Sequence, residues 1–186
     1  MTTELEALKD VASRLHQANV DYMLTGSFAK IFYSTPRMTR DIDIVINLTK
    51  QNSSSIIKAF SPDYYIDPVS VERAIQDQRM FNIIHNKQFV KIDFVIRKST
   101  PFRDLEFNRR KKVKLADFEV WLVSPEDLII SKLDWARDSH WELQLGDVAD
   151  LLEIKPLVKE YIQQWVQQLQ IEEVYSLAQK KLSEKK

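Results

Sequence analysis

Three aspartates and a glycine-serine pair carry the residue types and spacings from which a reaction can be built. Asp41 and Asp43 stand i, i+2 in the run Asp41-Ile42-Asp43-Ile44-Val45-Ile46, and Asp93 interrupts a second apolar run, Lys91-Ile92-Asp93-Phe94. Side chains alternate across a strand, so Asp41 and Asp43 share one face while Ile42 and Ile44 take the other. Two carboxylates so placed repel each other and are costly to bury unpaired. A divalent cation removes that conflict. Oxygen ligands from two strands suit Mg²⁺ (or Mn²⁺), which leaves open positions for phosphates. Gly26-Ser27 ends a short strand and opens a helix, so its N–H groups can hold an anion such as a triphosphate. The chain has only two glycines, Gly26 and Gly146, against an average usage near 7%, which marks Gly26 as a position with a backbone requirement. A plainer reading makes Asp41 and Asp43 a strand end entering solvent and Asp93 an unrelated surface residue. The apolar continuation after Asp43, the rare glycine and the third strand aspartate together weigh against it.

These residues need a scaffold, and the hydrophobic pattern supplies one. Helical spacing covers residues 3–18, a strand is expected at 22–25, and a short helix at 28–33 ends at Ser34-Thr35-Pro36. Residues 41–46 read as a buried β-branched strand and 50–60 as a helix. A weak strand near 64–66 and a helix at 70–78 follow. Strands 80–85 and 88–97 are expected to join through a two-residue hairpin loop, Asn86-Lys87. A helical turn at 102–108 precedes a second hairpin, 112–115 with 118–123. From Glu126 onward every segment favours helix, after a Ser124-Pro125-Glu126-Asp127 start. The expectation is an α/β (α+β) architecture: a mixed sheet flanked by helices over residues 1–123, then a C-terminal helical bundle over 124–186.

Composition narrows the field. The 186 residues balance 27 Lys+Arg against 27 Asp+Glu, so bulk charge makes no case for DNA binding. Absence of cysteine excludes disulfides, zinc-cysteine sites and thiol nucleophiles. No apolar run approaches a membrane span, and the acidic N-terminus is unlike a targeting peptide, so a cytoplasmic protein is expected.

Gly26-Ser27, a short helix, Asp41-x-Asp43 and a later strand aspartate together resemble the signature of the nucleotidyltransferase superfamily, which has the DNA polymerase β-like fold. The finer resemblance is to the abortive-infection type IV toxin nucleotidyltransferases and their bacterial relatives. Three segments carry it: Arg37-Met38-Thr39-Arg40-Asp41-Ile42-Asp43, the run from Ser124 to Leu133 containing Lys132, and Gly146-Asp147-Val148-Ala149-Asp150-Leu151-Leu152. The family often has Gly-Gly at Gly26-Ser27 and an arginine at Gly146. The resemblance implies that Asp41 and Asp43 bind metal, and that Asp93 activates the attacking hydroxyl or completes a second metal site. It implies that Ser27 meets the β/γ-phosphates and Lys132 the triphosphate. The chemistry would be two-metal in-line displacement on an NTP.

Other residues have two readings each. Lys132 would touch phosphate or lay its stem on apolar surface with the ammonium in water. Arg37 would contact nucleotide or acceptor, or pair with the acidic cluster. Lys91, on the same strand face as Asp93, would balance the carboxylates or touch phosphate. Asp147 and Asp150 read first as a solvated helix edge. The basic run Arg109-Arg110-Lys111-Lys112, continued by Lys114, would grip the phosphates of an RNA acceptor or form a solvated loop. The functional expectation is NMP transfer to an acceptor hydroxyl, with a tRNA 3′ end first and a cognate antitoxin as partner. The alternatives are a protein or small hydroxylated acceptor, or a nucleotide-binding protein without turnover.

Overall fold

The computed structural model describes residues 2–35, 39, 41–138 and 141–185, without the side chains of Asp138 and Trp141. In chain order the elements are α1 (Thr3–Gln17), β1 (Tyr22–Thr25), α2 (Gly26–Lys30), β2 (Asp41–Ile46), α3 (Ser53–Phe60), β3 (Tyr64–Tyr65), α4 (Pro68–Asp77), β4 (Met80–His85), β5 (Lys91–Ile96), α5 (Pro101–Asn108), β6 (Lys111–Leu115) and β7 (Phe118–Leu122), then α6 (Pro125–Asp138), α7 (Trp141–Leu151), α8 (Lys159–Gln168) and α9 (Glu172–Ser183). Local chemistry sets several boundaries. Thr2, Asp67 and Thr100 cap α1, α4 and α5 with their side-chain oxygens, and the last two helices start on prolines, which lose no hydrogen bond there.

The strands form one mixed sheet in the order β3-β4-β5-β2-β1-β7-β6. β2 and β5 run parallel at its centre, and β1 lies antiparallel to β2. Ile42, Ile44 and Ile46 of β2, with Ile92, Phe94 and Ile96 of β5, point into one fully enclosed core. Their neighbours Asp41, Asp43 and Asp93 therefore share the other face. That core continues without a break into Leu128, Ile129, Leu133, Val148, Ile162 and Trp165 of the C-terminal helices. The α/β architecture expected from the sequence is the one found. No helix among the described residues is long and apolar enough to cross a membrane.

Two local expectations need correction. α2 begins at Gly26 itself, two residues earlier than its apolar run suggests, and spans five residues. The loop between β4 and β5 is residues 86–90, longer than a two-residue turn. His85 shapes it, because its Nδ1 accepts the N–H groups of Lys87 and Gln88 at 3.3 and 3.1 Å, while Phe89 takes φ of 56°.

Candidate active site

Strand register assembles the carboxylates. Asp43 lies directly opposite Asp93 across the parallel β2/β5 pair, and Asp41 lies opposite Lys91. On the other flank Asp43 faces Thr25, the residue before Gly26. Gly26 sits at φ +67°, where a Cβ would come within 1.9 Å of Asp43 Oδ2 and 2.5 Å of its Cγ. Only glycine lets the backbone turn there and touch the carboxylate. The N–H of Ser27 then donates to Asp43. The α2 N-terminus, expected to cradle a phosphate, here meets a carboxylate of the chain.

Asp43 is electrostatically uncomfortable. Its pKa is pushed up to about 6, first by burial and next by repulsion from Asp93 and Asp41, with Lys132 and the Ser27 N–H working in the opposite direction. Asp93 is 5% exposed, and its Oδ2 accepts from Lys91 Nζ at 2.7 Å. Its Oδ1 is buried with no hydrogen-bond partner. Lys91 Nζ also stands 4.0 Å from Asp41 Oδ2, so this lysine balances the carboxylates. Among the described residues no three His, Asp or Glu side chains are gathered closely enough to form a ready-made metal site. The donor chemistry nevertheless fits a hard divalent cation: oxygen ligands on one strand face, one raised in pKa by its neighbours, and one orphaned oxygen.

Lys132 lies on α6 beside Ser27. It is 3% exposed, so its ammonium does not emerge into water. Its Nζ donates to Asp147 Oδ2 at 2.8 Å and Gln144 Oε1 at 3.1 Å, and stands 3.5 Å from Ser27 Oγ. Asp147 is 2% exposed and also faces Lys30 Nζ at 3.2 Å, which corrects the expectation of a solvated acidic edge. Lys30 donates to Asp150 at 2.5 Å as well. Two lysines from α2 and α6 thus hold two aspartates of α7 against the Ser27 end of the site. Sequence reasoning missed Lys30. The only signal is a lysine inside the apolar run Phe28-Ala29-Lys30-Ile31-Phe32, whose acidic partners lie far along the chain.

A cavity of about 390 Å³ opens beside these groups, lined among others by Gly26, Ser27, Asp43, Lys132, Arg103 and Trp135. That volume lies within the range of small-molecule sites. Its rim is stiffened by buried Glu106, which accepts from Ser131 Oγ and from Arg103, while Arg103 also donates to Asp134.

The basic run does not converge on the carboxylates. Arg109 donates to the fully buried Asp127 at 3.0 Å and to Glu126 at 3.3 Å, and lies 4.1 Å over the Tyr161 ring. Arg110 donates to the Phe107 carbonyl at 2.6 Å and stacks on Phe107 and Trp121. Arg109 thus neutralises buried carboxylates, while Arg110 packs on aromatic rings and pairs with exposed Asp21 at 3.3 Å. Lys111 and Lys112 sit on β6, three strands from β2, about 14 Å away at ordinary strand spacing. Lys112 stands 3.4 Å from Glu119, and Lys114 is exposed. Arg37 lies outside the described residues.

Known structures share this arrangement of strands and helices. An antigenic nucleotidyltransferase-like protein from Paracoccidioides brasiliensis aligns with a TM-score of 0.59 at 20% identity, covering 96% of this chain and 93% of that one. The lincosamide antibiotic adenylyltransferase LnuA, bound to lincomycin, aligns with a TM-score of 0.55 at 16% identity over 83% and 98% of the two chains. ANT(2'')-Ia in complex with adenylyl-2''-tobramycin aligns with a TM-score of 0.52 at 12% identity over the full length of both. At these identities the likeness is one of fold. No curated protein sequence matches. The profile of the family described as "Nucleotidyl transferase AbiEii toxin, Type IV TA system" matches residues 15–156, a span that contains Gly26-Ser27, all three strand aspartates, Lys132 and Asp147. With that match joined to the fold, the chain belongs to the AbiEii nucleotidyltransferase family and is a nucleotidyltransferase.

Proposed function

We propose that the chain transfers a nucleoside monophosphate from an NTP to an acceptor hydroxyl with the help of Mg²⁺ or Mn²⁺, and that the acceptor is an RNA, a tRNA 3′ end first. The observation that carries the transfer is the in-register Asp43/Asp93 pair, with Gly26-Ser27 packed on Asp43 and Lys132 placed at Ser27. Asp41 and Asp43 would hold the divalent ion. When bound, it supplies charge stabilisation to the reacting phosphoryl oxygens. Ser27 and Lys132 bind and orient the β- and γ-phosphates, and Lys132 stabilises the charge that accumulates on departing pyrophosphate. The cavity beside Asp43 holds the nucleoside and excludes bulk water. Asp93 takes the proton of the acceptor hydroxyl.

The family description supports a toxin role with a cognate antitoxin, and the RNA acceptor and a place in the cytoplasm are part of the same proposal. On the surface, the exposed lysines Lys111, Lys112 and Lys114 support an RNA acceptor. One observation favours a second reading. With Arg109 and Arg110 engaged internally, the basic surface is thinner than the sequence suggests, and a small hydroxylated acceptor needs none of it. LnuA and ANT(2'')-Ia are solved with such compounds. Incubation with Mg²⁺ and each α-labelled NTP, in the presence of total RNA, total protein or hydroxylated small molecules, separates these readings. Label is expected in RNA, and its appearance only in protein or a small product replaces the RNA reading.

A further inference from the structure

We propose that Lys91 is a built-in cation for the third carboxylate, standing where a second divalent ion would otherwise bind, so that the aspartate cluster by itself takes up one metal ion and not two. The inference rests on the nucleotidyl-transfer reading of this site and departs from the two-ion expectation for the protein's own ligands.

Four observations converge. Lys91 is two residues before Asp93 on the same strand face, and its Nζ lies 2.7 Å from Asp93 Oδ2 and 4.0 Å from Asp41 Oδ2. It therefore bridges the outer two carboxylates from the solvent side, with its own side chain 38% exposed. Beneath it Asp93 is almost fully covered, and Asp93 Oδ1 meets neither solvent nor a donor. The cavity reaches Asp43 but is not lined by Asp93 or Asp41. Lys132, the other nearby ammonium, donates to Asp147 and Gln144 and attracts the Asp43 carboxylate.

An ammonium hydrogen-bonded to a carboxylate and a divalent ion on that same carboxylate repel strongly at such separations. An ion approaching Asp93 must break the 2.7 Å hydrogen bond from Lys91, whereas an ion between Asp43 and half-exposed Asp41 meets Lys91 only at its looser 4.0 Å approach to Asp41. Occupancy at Asp41 and Asp43 is therefore compatible with an intact Lys91–Asp93 pair. Asp93 is left neutralised by Lys91 and without a metal ion of its own.

The test counts Mn²⁺ bound to nucleotide-free protein, by the electron paramagnetic resonance signal of the free ion. Wild type is expected to bind one ion, lost in Asp41→Asn and in Asp43→Asn. Lys91→Met is expected to gain a second site or to bind Mn²⁺ at least tenfold more tightly, and Lys91→Met combined with Asp93→Asn to return to one. Asp93→Asn alone, which keeps Lys91 and does not depend on the folding of Lys91→Met, is expected to bind within threefold of wild type. Two ions on wild type, a tenfold loss in Asp93→Asn, or equal binding by wild type and folded Lys91→Met each overturn the proposal. If Mn²⁺ binds and depends on Asp41 and Asp43 but ignores Lys91, this inference alone falls. If no variant binds Mn²⁺ at all, the metal-dependent reading of the site falls with it.

Discussion

Asp43→Asn should stabilise the metal-free protein while abolishing its activity. The magnitude follows from the carboxyl's position between burial and two like charges. Its pKa rises from 3.8 to about 6 on folding, and at about 1.36 kcal/mol per unit the ionised form opposes folding by about 3 kcal/mol near neutrality. Because the folded state binds this proton more tightly than the unfolded state, stability falls as pH rises from about 4 to about 6 and stays low above. Asparagine is neutral throughout and keeps an oxygen for the Ser27 N–H, but it buries an amide NH₂ that a carboxyl does not, and desolvating that donor offsets part of the gain. A net gain of about 1–2 kcal/mol remains, or several degrees in Tm at about 2–4 °C per kcal/mol. Urea unfolding of both proteins in EDTA, from pH 4 to pH 8, measures it. The gap should be near zero at pH 4 and fully open by pH 7. Added Mg²⁺ should reverse the order by stabilising wild type alone, by about 2.7 kcal/mol at a hundred times Kd. If the variant is instead the less stable protein at pH 7.5 in EDTA, the carboxylate supports the fold and the reasoning fails.

Gly26→Ala should disrupt the site outright, since its methyl would overlap Asp43 at a left-handed φ. A loss of at least about 2 kcal/mol and of nucleotide binding is expected by calorimetry, and normal binding would refute the close-approach argument. Lys132→Ala should weaken Mg-nucleotide binding by about 1.5–3 kcal/mol, read by isothermal titration, while Asp147 keeps Lys30 as a partner. Unchanged affinity would confine Lys132 to the α6–α7 contact. Arg109→Ala should destabilise the fold by about 2–4 kcal/mol, because it leaves the buried Asp127 with only the Ser124 and Tyr161 hydroxyls and no counter-charge, without altering the salt dependence of RNA binding. Neutralising Lys111, Lys112 and Lys114 should leave stability intact and flatten the log-log salt slope by about 0.7 for each RNA phosphate that no longer meets a lysine. The reverse assignment of effects would return the arginines to an acceptor role.

The alternation in residues 41–46 and 91–96 was enough to place the three aspartates on strand faces, because a period of two survives any tertiary context. What alternation cannot carry is strand order. That Asp93 lies opposite Asp43 depends on β5 entering beside β2, which no local pattern encodes. The same limit hid the ionic network. Lys30 and Lys132 look like exposed lysines until Asp147 and Asp150 are brought against them from α7. Arg109 misled for the converse reason: a run of cations reads as surface, yet Glu126 and Asp127, which favour the start of α6, are buried there and require a positive partner, while Arg110 is drawn onto the Phe107 and Trp121 rings beside Asp21. The loop at 86–90 escaped because a histidine side chain, not a glycine or asparagine, holds its backbone.

The central claim is that the α-phosphoryl group, not the γ, moves, and that the strand aspartates make it move. Parallel reactions with α-labelled and γ-labelled NTP, with Mg²⁺ and an RNA acceptor, test this most directly. The expected result is α-label in the acceptor and γ-label only in released pyrophosphate, both lost in Asp41→Asn and Asp43→Asn variants that remain folded. Transfer of γ-label to the acceptor, or undiminished α-transfer by either variant, would contradict the account.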